Sequence, residues 1–169
     1  PEKEIDAAYR LILALWKLDE LAEAREVADR YLESWLPAHT GIAMNSVHSM
    51  REIAANLSRA EGRPSDATAQ LVPLLTDVRE SEGTSTELYS KVELSLFHSL
   101  VAERRYPEAE ALARRRLERL DEISVEPAGE DERVLSRWML ARSLDLGDKH
   151  EEAHDLMEAL LPEVRALYG

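Results

Sequence analysis

Apolar residues along this chain recur three or four positions apart, in spans several helical turns long, and short polar breaks separate the spans. The stretch Val134 to Gly169 shows the pattern most clearly. Leu140 and Leu144 are followed, after Gly147 and Asp148, by Ala153, Leu156, Leu160 and Leu161. That spacing makes one face of a helix apolar. Gly147 suits a helix C-terminus because glycine accepts a positive φ, and Asp148 can accept a hydrogen bond from the free N–H groups of a following helix. The stretch therefore reads as a helix, a tight turn and a second helix, each burying one face on the other. The same reading predicts helices over 5–17, 22–36, 43–60, 64–80, 87–103, 107–123, 132–146 and 149–167. Pro37 is expected to end the second of these. Gly62 and Pro64 close one helix and open the next. Pro73 and Pro162 fall inside helices, where a kink or one lost hydrogen bond is expected. The segment 125–131 is the most loop-like.

A single helical hairpin buries too little apolar area to stand alone and needs neighbours of its own kind. An alanine shortly after the turn marks each pair: Ala24, Ala67, Ala109 and Ala153, spaced 43, 42 and 44 residues apart. A small residue there lets two helices approach closely. Four copies at near-constant spacing signal a helical solenoid.

The residues around these markers resemble a known family. Leu140-Ala141-x-x-Leu144, the glycine turn and Glu151-Glu152-Ala153 resemble the tetratricopeptide repeat (TPR), with Ala141 and Ala153 at its two small positions. The turns EGRPSDA and ERRYPEA resemble the GRYEEA turn of that family, with Tyr106 at its aromatic position. The period is longer than a plain TPR unit and looks like the kinesin light chain type and its bacterial relatives. HEAT repeats share the period, but the short turn followed by Glu-Ala favours the TPR. The resemblance implies an all-α, right-handed superhelical solenoid of about four helix–turn–helix repeats, near 4–37, 43–82, 85–124 and 131–169. These form a single domain over 1–169. The first residue is Pro1 and the last helix still carries Leu156, Leu160, Leu161, Val164 and Leu167. Solenoids end in a polar cap, so a fragment of a longer protein, or a second subunit over the uncapped ends, is expected.

Composition narrows the function. The 169 residues include 44% hydrophobic types and no cysteine, which excludes disulfides and thiolate chemistry and leans to the cytoplasm. The longest apolar run, Leu11 to Trp16, is far short of a membrane span. A net charge of −13 argues against nucleic acid, whose phosphates it repels. No phosphate-cradling glycine loop, dinucleotide fingerprint or nucleophile elbow occurs, so no cofactor is expected.

One catalytic pattern does occur. His150-Glu151-Glu152-Ala153-His154 fits H-E-x-x-H, two zinc ligands one helical turn apart with a glutamate as general base. Ala153 is the repeat's own packing position and no third ligand follows at a family spacing. A zinc metallopeptidase is therefore only a weak alternative, with His150 and His154 its candidate ligands. His39, His48 and His98 read as surface or groove residues. Arg114, Arg115, Arg116 and Arg119 form a basic cluster that pairs most simply with Glu110, Glu118 and Glu122 on the same helix.

The resemblance points instead to a groove. In TPR arrays the first helix of each pair lines the concave face. Alignment on the alanine markers carries that role to Tyr9, Leu13 and Trp16, then Glu52, Asn56 and Arg59, then Lys91, Leu94 and His98, then Trp138, Arg142 and Asp145. Asn56 resembles the asparagine with which such domains hold a peptide backbone. The function implied is non-enzymatic: a scaffold or regulatory module that binds a peptide or protein. A peptide-sensing domain of a bacterial transcriptional regulator is the alternative.

Overall fold

The computed structural model describes residues 2–39, 41–123 and 128–168. Among these the chain forms eight helical stretches and no strand. They are α1 (Glu2–Lys17), α2 (Leu21–Ala38), α3 (Met44–Ala60), α4 (Pro64–Ser81), α5 (Glu87–Ala102), α6 (Tyr106–Ile123), α7 (Ala128–Leu146) and α8 (His150–Tyr168). Of the loop expected over 125–131, residues 125–127 lie outside the described residues, and 128–131 already belong to α7. No helix is long and apolar enough to cross a membrane among the described residues.

The turns are built alike. Asp19, Gly62, Arg104 and Asp148 all have positive φ, between 60° and 78°. Each stands five residues before its marker alanine. The amide of the following residue (Glu20, Arg63, Arg105 or Lys149) donates 2.9 Å back to the carbonyl of Leu15, Ser58, Leu100 or Leu144. The positive-φ residue itself donates to the carbonyl three residues back at 3.0–3.2 Å. This pair of bonds is the Schellman closure, which satisfies carbonyls that a helix end leaves unpaired. The carbonyl of the following residue then accepts the marker alanine's own N–H at 3.0–3.3 Å and starts the next helix. The positive φ thus falls on Asp148, not on Gly147 as the sequence suggested. A Cβ at Gly147 would come to 3.0 Å from the Ser143 carbonyl oxygen and 3.6 Å from Tyr106 Cβ, and Leu18, Glu61 and Glu103 carry a side chain at the same position of the other three turns.

By contacts the chain divides into two compact units, Pro1–Ser99 and Leu100–Gly169. In the first, α1 packs on α2, and both pack on α3, which in turn packs on α4. Ile5, Ala8, Ile12, Ala24, Ala28, Met50, Ile53, Ala54 and Leu57 form one buried cluster. Arg25 ties α2 to α3, donating to the Ala54 carbonyl at 3.0 Å and to Ser58 Oγ at 2.9 Å and pairing with Glu61 at 3.1 Å. In the second unit α7 packs between α6 and α8. The marker alanines are buried in all four turns.

Two prolines behave differently from expectation. The second helix does not stop before Pro37: it widens to a π-helix over Arg30–Trp35 and closes with an α-turn, Leu36–Ala38. Pro37 is the second residue of that closing piece and has no N–H with which to continue the wide ladder, whose bond from Leu36 N–H to the Tyr31 carbonyl precedes it. Around it Tyr31 lies 5.3 Å from Trp35, and His39 stacks on Trp35 at 4.2 Å. Pro73 sits inside the continuous α4. Pro73 and Ala69 are both exposed, so water can take the carbonyl that proline leaves without a donor.

Candidate binding face

The positions expected to line a groove fall on first helices in both units. On α1, Tyr9, Leu13 and Trp16 are half-buried and pack against the first unit's core. On α3, Glu52 and Asn56 are nearly fully buried, at 8% and 7% exposure. Glu52 Oε1 accepts hydrogen bonds from Asn56 Nδ2 and from Ser95 Oγ on α5, each at 2.5 Å. Asn56 Nδ2 also reaches Ser95 Oγ at 2.8 Å, and Arg59 Nη2 reaches Asn56 Oδ1 at 3.5 Å. The Asn56 amide is therefore held inside this network, and its fitness as a clamp for a peptide backbone is correspondingly reduced.

Burial pushes the Glu52 carboxyl above the ordinary glutamate range, against the pull of Ser95, Asn56, Lys91 and Arg59. The Tyr9 phenol is raised by its own burial and then by the charge of Glu52. Lys91 pairs with Glu87 at 2.8 Å, which raises the ammonium. Tyr9, Glu52 and Lys91 thus sense one another electrostatically across α1, α3 and α5.

Lys91 is out of register with the other expected positions. Counted from the marker alanines it matches Asp6 and Ser49, one turn earlier on their helices. The structure brings these three to one recess of about 230 Å³, lined also by Tyr9, Asn45 and Ser46. Leu94 and His98 on α5 are half-buried, and the His98 ring lies edge-on to Phe97 at 5.7 Å. Sequence reasoning missed Ser95. Its signal was present: the same repeat position holds Ile53 on α3 and Met139 on α7, so a serine there announces a polar partner.

In the second unit Trp138, Arg142 and Asp145 share one face of α7. The Arg142 guanidinium lies 5.3 Å from the Trp138 ring centroid, within cation–π range. With His150, His154 and Met157 they line a recess of about 520 Å³. His150 Nδ1 sits 2.8 Å from Asp145 Oδ1, and His154 is exposed beside Asp155 at 3.7 Å. No group of three or more His, Cys, Asp or Glu able to hold a metal occurs among the described residues.

Two other expectations change. The arginine cluster is not one surface patch: Arg116 is 1% exposed and donates through Nε to Ser136 Oγ at 2.9 Å, while Arg114 pairs with Glu110 at 2.8 Å. His48 is not a surface residue. It is 1% exposed, and its Nδ1 lies 3.0 Å from Glu82 Oε1 at the end of α4.

No protein-family model and no curated protein matches the chain. Among solved structures, a Podosopora anserina protein described as a putative kinesin light chain with nearly identical TPR-like repeats superposes with a TM-score of 0.80. The match is at 15% identity over 100% of this chain and 79% of that one. A single-residue variant of the same protein gives 0.81 at 16% identity, over 99% of this chain and 77% of that one. The fold is that of TPR-like repeats. The four Schellman turns and four buried alanines are the TPR-like frame as this sequence builds it. The polar network around Glu52 and the Trp138–Arg142 pair are what this TPR-like chain hangs on that frame.

Proposed function

We propose that the chain is a non-enzymatic interaction module that holds a protein or peptide segment against its first helices. The observation that carries this reading is the polar recess lined by Asp6, Tyr9, Ser49 and Lys91, beside the Glu52–Asn56–Ser95 network that ties α3 to α5. A buried carboxylate adds little to stability, and an apolar side chain of similar volume would serve packing as well or better. The network instead joins α3 to α5, and Tyr9, Ser49 and Lys91 on the first helices line a polar recess. The mix of half-buried aromatic, cation and carboxylate is also the set of side chains that anchors interfaces. The second unit offers a parallel set in Trp138, Arg142 and Asp145. TPR-like frames commonly serve as scaffolds for protein partners, which agrees with this reading by analogy of fold.

The test is selection of peptides from a displayed random library on the wild-type chain, followed by affinity measurement on variants. Tyr9→Ala/Lys91→Ala and Trp138→Ala/Arg142→Ala, each shown to be folded by circular dichroism, are expected to weaken selected peptides at least tenfold. Arg79→Ala, on the exposed side of α4, is expected to leave them unchanged. Equal binding by all variants overturns the groove reading.

A further inference from the structure

The first helices of the first unit are joined in two different ways. Between α1 and α3 the contact is apolar, with Ile5, Ile12, Met50 and Ile53 in one buried cluster. Between α3 and α5 it includes a carboxyl group. Glu52 Oε1 accepts from Ser95 Oγ across the two helices and from Asn56 Nδ2 on its own helix, and all three side chains are buried. The repeat frame does not call for this bridge. The same two positions are Tyr9 and Ile53 one repeat earlier, and Leu94 and Met139 one repeat later.

The bridge stands one helical turn from the polar recess on both sides. Ser49 precedes Glu52 by three residues on α3, and Lys91 precedes Ser95 by four on α5, spacings that share a helix face. Ser49 and Lys91 line the recess with Asp6 and Tyr9. The bond from Ser95 to Glu52 therefore ties the Lys91 wall of the recess to the Ser49 wall, while the apolar cluster holds α1 to α3.

The strength of that tie depends on a proton. An ionised carboxylate accepts stronger hydrogen bonds than a protonated carboxyl. Burial raises the Glu52 carboxyl above the ordinary glutamate range, which moves its titration toward neutral pH. The charged and titratable groups that act on it are Lys91 on α5, Arg59 on α3 itself and Tyr9 on α1. Those of α2 and α4 that reach α3 pair elsewhere: Arg25 with Glu61, Asp77 with Arg51 and Glu82 with His48.

Resting on the binding role proposed above, we propose that the Glu52–Ser95 bridge positions the recess and makes binding there depend on pH. The ionised bridge holds the two walls in place for the ligand, and the protonated bridge holds them less firmly. Affinity therefore rises with pH as Glu52 loses its proton, and the bound ligand in turn favours the ionised form. Glu52 acts as a positioning residue, since Ser49, Tyr9 and Lys91 are the side chains that meet the ligand.

The probe is a peptide selected on the wild-type chain, made with blocked ends and chosen to contain no Asp, Glu or His, so that it does not titrate itself. Its affinity is measured from about pH 5 to about pH 8 on wild type, Glu52→Gln and Ser95→Ala, each shown by circular dichroism to be folded across that range. Wild type is expected to bind roughly fivefold more weakly at the acid end than at the alkaline end. Glu52→Gln has no carboxyl to titrate and is expected to stay at the acid-end affinity throughout. Ser95→Ala keeps the carboxyl but removes the donor on α5, and it is expected to bind at the alkaline end as weakly as Glu52→Gln. Other groups titrate alike in every variant, so the difference between the wild-type and Glu52→Gln profiles belongs to Glu52. Parallel profiles overturn the proposal, as does Ser95→Ala that binds like wild type at the alkaline end. A chain that selects no peptide overturns the binding role and this proposal together, whereas peptides bound alike by all three proteins overturn this proposal alone.

Discussion

Three of the four Schellman turns place a residue with a side chain in the left-handed region, and this is open to a quantitative test. Asp19, Arg104 and Asp148 have φ near +60°, where Cβ crowds the following carbonyl and costs roughly 1–2 kcal/mol. Glycine removes that cost but carries about 0.5–1 kcal/mol of extra unfolded-state entropy. The net gain expected from Arg104→Gly is therefore about 1 kcal/mol. For Asp19→Gly and Asp148→Gly it is about 0.5 kcal/mol each, since aspartate tolerates this region better. The side chains lost are exposed. Asp148 is 97% exposed, and its 3.8 Å approach to His150 Nε2 is a surface pair of small value. A triple variant is expected to gain about 2 kcal/mol, which for a chain of this size raises Tm by roughly 4–8 °C. Gly62, already glycine at φ 78° with open space around its Cβ position, supplies the control. Gly62→Ala is expected to lose about 1 kcal/mol with no clash to blame. Urea unfolding followed by far-ultraviolet circular dichroism and by tryptophan fluorescence gives both numbers. Trp16 and Trp35 report on the first unit and Trp138 on the second. Refutation is simple: if Arg104→Gly destabilises, or Gly62→Ala is neutral, the positive φ is not what these turns require.

Other expectations follow from side chains whose settings differ from their appearance in sequence. Arg116→Ala empties a buried site on α6 and is expected to cost about 2–4 kcal/mol, while the exposed neighbour Arg115→Ala stays within about 0.5 kcal/mol in the same urea titration. Gly147→Ala is expected to stay within about 1 kcal/mol in the unfolding reported by Trp138, since Leu18, Glu61 and Glu103 carry a Cβ at the same turn position. Glu52 binds its proton more tightly folded than unfolded, because burial raises its carboxyl above the ordinary 4.5. Stability it supports when protonated is therefore lost as pH rises through the raised value. Glu52→Gln keeps the oxygen that Asn56 and Ser95 bond. Its stability relative to wild type is expected to increase between about pH 4 and pH 8, and a difference constant across that range refutes the reasoning.

What could be read from the sequence was what the backbone and the apolar period dictate. Helix spacing, turn positions and the four marker alanines follow from local rules, so they were legible. The rest depends on neighbours remote in the chain. Glu52 and Arg116 look like solvated charges because nothing within one helical turn reveals Ser95, 43 residues on, or Ser136, 20 residues on. His48 likewise finds Glu82 only through the pairing of α3 with α4. The π-helix in α2 has no local signature, and Pro37 argued against it. Gly147 is a case of another kind. The usual reason for a glycine at a helix end is a positive φ, and here the positive φ falls one residue later, on Asp148.

The four copies also separate what the fold needs from what the chain uses. Positions that hold the frame keep one character throughout: a left-handed turn residue, then a buried alanine five residues on. The positions expected to line a groove do not. Where α1 has Tyr9, the later first helices have Glu52, Leu94 and Trp138; where α1 has Leu13, they have Asn56, His98 and Arg142. Packing alone does not call for four different chemistries at one repeat position, since each copy of the frame closes its turn and buries its alanine in the same way. The proposed interaction role predicts such variety, because each first helix then meets its own part of a partner.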